Sequence, residues 1–238
     1  MVDKTPGRIR RMFGQIAPRY DRMNHLLSMQ TDRYWRFRTV RIVPPQGSAP
    51  ILDVCCGTGD LAFAYRRRAH ASAPVVATDF CHEMLRVARK RLERSKLDNM
   101  TFLEADTLHL PFRADTFQIV SVAFGLRNVV DTDGGLAEMT RVCRPGGHVA
   151  VLEFSMPTWG PARAAYSWYF RNVLPRLGQW LARNDQEAYH YLPDSVGQFP
   201  QGEALLERMR HAGLIDVRQH RFTMGVATLY VGTKGESP

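Results

Sequence analysis

The chain has 238 residues, 45% hydrophobic and 23% charged, the make-up of one globular domain with a full core. A disordered, collagenous or disulfide-stapled chain is excluded. Its four cysteines (Cys55, Cys56, Cys81, Cys143) include no C-x-x-C pair, so no structural zinc site is expected, and the expected compartment is reducing, hence cytoplasmic. The net charge of +9 is uneven: residues 1–41 hold ten Lys/Arg against three Asp/Glu, or +7, and the rest is close to neutral at +2. A basic N-terminal arm meets nucleic acid, an anionic membrane surface or an acidic partner, or is simply a solvated face. No apolar run reaches 18 residues, and the first residues lack an apolar signal core, so neither a spanning helix nor a secretion signal is expected.

In chain order, Ile9, Met12, Phe13, Ile16 and then Tyr20, Met23, Leu26, Leu27 recur at helical spacing across Pro18, predicting one or two helices over 8–28. The run 51–56 ends at Gly57 and reads as a buried strand. A helix follows from Asp60 to about His70, then a strand at 75–80. Met84, Leu85, Ala88 and Leu92 form a second helical stripe, with Arg86, Arg89, Lys90, Arg91 and Arg94 assigned largely to solvent. Strands at 101–105 and 117–123, a helix near 133–143 and a strand at 148–154 complete an alternating α/β pattern. That pattern predicts a Rossmann-like, mostly parallel sheet with helices on both faces. A helix at 201–212 and strands at 214–222 and 226–232 close the chain, giving seven strands. The stretch 159–182 interrupts the plan with three of the four tryptophans, Trp159, Trp168 and Trp180. It reads as inserted aromatic helices after strand five, kinked at Pro175, with Trp168 off the apolar face. They either pack on the core or form an apolar lid. The whole chain, 1–238, is read as one domain, with a helical arm at 1–45 and a helical insertion at 156–200.

The segment Asp53-Val-Cys-Cys-Gly57-Thr58-Gly59-Asp60 lies between a strand and a helix, and Asp79 ends the next strand. Glycines there permit a tight turn and close ligand approach, and an acid on strand two accepts both hydroxyls of a ribose. Gly57-x-Gly59-x-x-Ala62 also satisfies the dinucleotide pattern, so a nicotinamide or flavin site stays open. Asp60 favours another cofactor. A carboxylate at a helix start repels a pyrophosphate and suits the cationic S-adenosylmethionine. Asp106 and Thr107, at the end of the third strand, are further ligand candidates, with Asp106 placed to accept from an adenine amino group and Leu110 or Phe112 to close an apolar wall. No His/Asp/Glu cluster with metal-ligand spacing stands in the sequence, so no metal is expected.

Together with Arg141-Val-Cys-Arg144-Pro145-Gly146-Gly147, these segments resemble the class I S-adenosylmethionine methyltransferases. Tyr20-Asp21-Arg22-Met23-Asn24, Ser28, Trp35, Phe124-Gly125-Leu126-Arg127-Asn128, Glu153-Phe154-Ser155 and Tyr191-Leu192-Pro193-x-Ser195-x-x-x-Phe199-Pro200 resemble one branch, the ubiquinone/menaquinone-biosynthesis C-methyltransferases. The resemblance spans nearly the whole chain. Asp32 stands where that family usually has histidine, Arg144 where it has lysine, and Ala123 where many members carry a serine that contacts the cofactor.

The resemblance implies a methyl donor held at Gly57, Thr58, Gly59, Asp60, Asp79, Asp106 and Thr107. It implies transfer to a ring carbon of a polyprenyl quinol, demethylmenaquinol before a benzoquinol. Arg127 is expected to stabilise a developing phenolate and to act on the ring rather than on the fold, with Tyr20 and Asn128 beside it. A nucleic-acid methyltransferase is disfavoured, because strand four is not followed by an Asn-Pro-Pro-aromatic tetrapeptide. A scaffold without chemistry is disfavoured by the intact loop. The basic arm, through residues 1–41 with Arg8, Arg10 and Arg11 among its cations, is expected to hold the enzyme peripherally on the inner face of an anionic membrane, with Ile9, Met12, Phe13 and Ile16 either inserted or packed. A homo-oligomer stays open.

Overall fold

In a computed structural model, residues 3–17, 20–169, 172, 191 and 195–236 are described. Three helices open the chain: α1 (Pro6–Ile16), α2 (Tyr20–Leu27) and α3 (Thr31–Ile42). Then β1 (Ile51–Val54), α4 (Asp60–Arg68), β2 (Val75–Asp79), α5 (His82–Glu93), β3 (Met100–Glu104) and β4 (Phe117–Ala123) alternate as expected. A 3-10 turn at Leu126–Asn128 leads to α6 (Thr132–Val142) and β5 (Cys143–Phe154). After α7 (Gly160–Trp168), the described chain closes with α8 (Glu203–His211), β6 (Leu214–Phe222) and β7 (Ala227–Lys234).

The seven strands form one sheet in the order β3-β2-β1-β4-β5-β7-β6. Every pairing is parallel except those of β7, which runs against both β5 and β6. This is the expected Rossmann-like architecture with its antiparallel last strand. Strand pleating sends alternate residues to opposite faces. Ile51, Ile119, Ala150 and Leu152 pack on one side with α3, α4 and α5. Leu52, Val54, Val120, Val122, Val149 and Val151 pack on the other with α6 and α8. Strand β5 starts at Cys143, five residues before the expected boundary. Its Arg-Pro-Gly-Gly start joins β4 across a register shift between Phe117 and Ile119. The helix α3 falls within the expected helical arm but has no predicted bounds of its own, because three of its five buried residues, Asp32, Arg36 and Thr39, are polar.

The arm is a packed part of the domain. Ile16 and Ala17 are buried with Cys81 and Met84 of the α5 region, and Ile9 and Met12 with Tyr191. Packing therefore uses the apolar face of α1, with Phe13 only partly buried. Arg10 pairs with Glu104 at 3.6 Å, and Arg8 with Asp3 at 3.6 Å. In the expected insertion, Trp159 and Trp168 are exposed and Tyr166 is partly buried. The expected Pro175 kink, Trp180, and the Leu192-Pro193 part of the family motif lie outside the described residues. No described helix is long and apolar enough to cross a membrane.

Parallel strands deliver their carboxyl ends to one edge, and the strand order reverses between β1 and β4, which opens a crevice there. Gly125 closes this switch point. A Cβ on it would sit 2.5 Å from the Cβ of Cys55 at the end of β1. Gly125→Ala is expected to cost about 1–3 kcal/mol of stability by overpacking, read as a lowered denaturant midpoint with an unchanged slope.

Candidate active site

The crevice holds a cleft of about 980 Å³, counting the part open to solvent. Its floor is the loop after β1. Gly57 and Gly59 adopt φ values of +56° and +90°, a left-handed turn that a side chain would strain. Asp79 anchors the loop from the end of β2. Its Oδ2 accepts the Gly57 N–H at 2.7 Å and its Oδ1 the Cys81 N–H at 2.8 Å. Burial pushes the Asp79 carboxyl up to about 6, while these backbone donors favour its charged form. Asp53, at the third position of β1, is also buried and lines the cleft. Ser121 donates to it at 2.8 Å, and burial pushes it up to about 7. Burial also raises the Cys55 and Cys56 thiols, with Asp79 next in effect, so neither is a thiolate nucleophile at neutral pH.

The expected donor-site residues Gly57, Thr58, Asp60, Asp79, Asp106 and Thr107 all line this cleft; Gly59 turns the chain behind it, where an added Cβ would crowd Phe102 and Phe63 at 3.0–3.2 Å. Their roles differ in detail from the sequence expectation. Thr58 is buried and donates its hydroxyl to Asp21 of α2. Asp60 begins α4 as expected, yet it is not a free carboxylate: Arg91 reaches it at 2.7 Å and Arg36 at 3.6 Å. Burial works to raise Asp60, and those two arginines outweigh it, so its carboxyl stays below the ordinary value. The repulsion of a pyrophosphate by Asp60 is therefore largely neutralised. The preference for a cation rests instead on the whole lining, in which four acids (Asp53, Asp60, Asp79, Asp106) face two bases (Lys4, Arg36). Asp106 is 58% exposed in its side chain and caps its own turn by accepting from Leu108 N at 3.0 Å. The apolar wall is made by Leu108. Leu110 and Phe112 pack into the core beneath β4, where Phe112 meets Phe117 edge-on at 5.0 Å.

The roof comes from the arm: Lys4, Pro6, Ile9 and Phe13 of the α1 region and Tyr20 of α2 line the cleft. Tyr20 stands over Gly57, where an added Cβ would lie 3.8 Å from its Cε1, and packs edge-on to Phe13 at 6.0 Å. Burial raises the Tyr20 phenol, and the charges of Arg127 and Arg36 oppose this. Asn128 lines the far wall with its Oδ1 buried and without a partner, an acceptor aimed at something the cleft must supply.

Arg127 departs from its expected setting. It is 5% exposed and lies behind the wall. Its Nη1 reaches Glu153 Oε2 at 2.9 Å and the Phe124 carbonyl, and its guanidinium lies 5.4 Å from the Phe154 ring centre. A buried ion pair of this kind is structural as well as electrostatic, so Arg127 cannot act on the ring alone without bearing on the fold.

Sequence reasoning missed Arg36, Arg91, Asp21 and Lys4. The spacing showed no ligand cluster, but the fold brings His25, Asp32 and Asp60 together, with ligand atoms within 4.8 Å. Arg36 already bridges the two carboxylates, so the cation in that cluster is a guanidinium.

The ubiE/COQ5 methyltransferase family model matches residues 1–234. The chain belongs to this family. It is 43% identical over 228 residues to the ubiquinone/menaquinone biosynthesis C-methyltransferase of Citrifermentans bemidjiense, covering 95% of this chain and 96% of that one. It is 45% identical over 223 residues to the demethylmenaquinone methyltransferase of Thermus thermophilus, covering 94% of this chain and all of that one. Among solved structures, it resembles an S-adenosylmethionine-dependent methyltransferase from Thermotoga maritima with a TM-score of 0.63 at 18% identity, covering 94% and 98% of the two chains. A Haemonchus contortus phosphoethanolamine N-methyltransferase in complex with S-adenosylmethionine gives 0.60 at 15% identity, covering 84% of this chain and 52% of that one. These two likenesses bear on the fold.

A raised carboxyl pKa means that the folded state holds its proton more tightly than the unfolded chain does. Stability from Asp53 is then fully present below the ordinary value of 3.8 and is lost as pH rises towards about 7. Urea unfolding at stepped pH is expected to show stability falling across that window. Asp53→Asn is expected to flatten the fall, leaving the smaller contribution of Asp79.

Proposed function

We propose that the chain transfers the methyl group of S-adenosylmethionine to a ring carbon of a polyprenyl quinol, converting demethylmenaquinol to menaquinol. The observation that carries this is the single cleft that joins the loop at Gly57, with its buried Asp79, to the unpartnered Oδ1 of Asn128 under a roof of Tyr20 and Phe13. Family membership and the names of the relatives support the substrate class. A benzoquinol is the second reading, favoured by the relatives named for both ubiquinone and menaquinone.

The residues fit the donor. Asp79 offers two carboxylate oxygens at the end of β2, the position that takes ribose hydroxyls, and Gly57 leaves the space above it open. Asp106 and Thr107 stand at the end of β3 for the adenine side. When bound, S-adenosylmethionine supplies an electrophilic methyl group. The cleft must then hold the ring carbon in line with it, about 3–3.5 Å away. Transfer to a ring carbon would leave neutral S-adenosylhomocysteine, and the ring proton displaced by the methyl group would pass to solvent. Asn128 orients a ring oxygen, and Tyr20 hydrogen-bonds it. Arg127, from behind, favours negative charge in that corner, because its guanidinium is fixed by Glu153 and reorganises little.

Two outcomes test the reading. Asp79→Ala is expected to weaken S-adenosylmethionine binding by about 1–3 kcal/mol in titration calorimetry. NAD binding without S-adenosylmethionine binding in the parent protein would refute the cofactor. Arg127→Met is expected to destabilise the fold by about 3–5 kcal/mol, because it strands the buried Glu153. The double change Arg127→Met/Glu153→Leu is expected to recover most of that stability while methyl transfer stays about 10²–10³-fold down. Full activity in the double variant would make Arg127 structural only. Quinone profiling of cells lacking the gene identifies the ring by the demethylated species that accumulates.

A further inference from the structure

The outward face of α3 is not composed as a solvated helix face. Its exposed positions are Arg33, Tyr34, Phe37, Arg38 and Arg41, a continuous stripe of two aromatic rings and three cations with no acid. The helix's one acid, Asp32, is buried against Arg36. Phe37 is 53% and Tyr34 47% exposed. Arg38 lies 5.8 Å from the ring centres of both Tyr34 and Phe222, and Arg41 lies 5.4 Å from that of Phe37. The turn between β6 and β7 adjoins this stripe, since Trp35 Nε1 donates to Thr223 Oγ1 at 2.8 Å. That turn carries Met224, 65% exposed. The loop after β5 meets the same turn, with Pro157 Cα 3.4 Å from the Cβ position of Gly225, and it carries Trp159, 62% exposed. Among the described residues, Arg33, Arg38, Arg41 and Arg221 have no acidic partner; their hydrogen bonds go to Gln30, Tyr34 and Thr158.

We propose that this face, formed by α3, the β6–β7 turn and the Trp159 loop, docks the enzyme on an anionic lipid bilayer. Uncompensated arginines supply the attraction to anionic headgroups, and Tyr34, Phe37, Trp159 and Met224 supply side chains suited to the headgroup–acyl boundary. Position selects a bilayer over other polyanions. The patch lies at the edge where β1, β4 and β5 end, since Phe154 and Phe222 both register with Ala227 there. The inner side of the same helix lends Arg36 to the cleft. A substrate with a polyprenyl tail would pass from the bilayer to the cleft along this rim; that part of the argument rests on the quinol reading. Within the arm, α3 rather than α1 carries this face, because the apolar residues Ile9, Met12 and Ile16 of α1 are used in packing.

The test is co-sedimentation of the full chain with vesicles of phosphatidylcholine alone or with 30% phosphatidylglycerol. The parent is expected to bind the anionic vesicles and to release as salt rises, with Trp159 quenched by brominated acyl chains. Arg38→Gln/Arg41→Gln is expected to weaken binding by about 10- to 30-fold, and Phe37→Ser/Trp159→Ser to abolish the salt-resistant remainder. Arg8→Gln/Arg10→Gln/Arg11→Gln is expected to stay within about twofold of the parent, the screening of scattered surface charge being what is lost. Unchanged melting temperatures keep these comparisons valid, and each pair of changes stands in for the other if one fails to fold. Equal binding to neutral vesicles, an equal loss in the arm variant, or tighter binding of a single-stranded RNA oligomer than of anionic vesicles would overturn the proposal. Methylation of a short-tailed, water-soluble quinol is expected to survive the α3 changes. Its absence in the parent would refute the quinol reading while leaving vesicle binding to be judged by itself.

Discussion

Asp60 is gripped from two sides, by Arg91 of α5 and Arg36 of α3, and the rest of the site hangs on that grip. Arg91 also holds Asp21 of α2 at 2.9 Å and the Thr58 carbonyl at 2.9 Å, and Asp21 in turn accepts from the Thr58 hydroxyl. Arg36 continues to Asp32, which His25 at 2.8 Å and Ser28 at 2.6 Å also engage. Two helices of the arm, α2 and α3, together with α5 and the first turn of α4, are thereby tied to one loop. The pairs are partly buried, so solvent screens them less than surface pairs, and breaking one strands its neighbours. The network ties the arm to the crevice in both directions, Arg36 of the arm reaching Asp60 and Asp21 of the arm receiving Arg91.

Beneath that network, Asp53 and Asp79 are buried acids whose carboxyls are pushed up to about 7 and about 6. Keeping such groups in the core lowers stability near neutral pH. What they provide is geometry. Asp79 fixes the amides of Gly57 and Cys81, and Asp53 accepts from Ser121 across the switch between β1 and β4. Phe124, at a φ of +59°, shows a similar trade. Its strained turn aims its carbonyl at Arg127 and sets its ring 4.4 Å from that of Phe154, beside the ion pair with Glu153. The charge of Arg127 is thus fixed by its pair with Glu153 and not left to a surface contact.

The alternating plan and the glycine loop were legible because both write themselves locally: a short apolar run at 51–56 ending at Gly57, helical spacing at Met84–Ala88, and a turn that favours glycine. Asp79, Asp106 and Thr107 followed from topology, since they end successive parallel strands. Arg36 and Arg91 were not legible, because a helical arginine's spacing says which face it leaves from and not what its long side chain reaches. The bounds of α3 within the expected helical arm escaped for a related reason: a buried face made of Asp32, Trp35, Arg36, Thr39 and Val40 has no apolar period. Leu110 and Phe112 were misplaced because apolar residues after a strand serve a wall or a core equally well, and only the packing against Phe117 decides. Arg127 was placed at the correct end of the sheet, but its burial depends on Glu153, which lies 26 residues away on the next strand.

Helix α3 gathers these constraints into one element. Its inner face must be polar to bridge Asp32 and Asp60, and Trp35 beside it must be large to pack against Phe124 at 5.8 Å and Phe154 at 6.0 Å. Its outer face is free of both demands, yet it carries rings and cations where a solvated helix would mix both signs of charge. Ion pairing to acids explains the inner arginine. It does not explain Arg33, Arg38 and Arg41, whose polar contacts are with Gln30, Tyr34 and aromatic faces. Because the same helix lines the cleft with Arg36, a force on its outer face acts on an element that also shapes the cofactor loop. Attachment at this face would therefore place the mouth of the cleft at the bilayer without asking α1 to give up its packing.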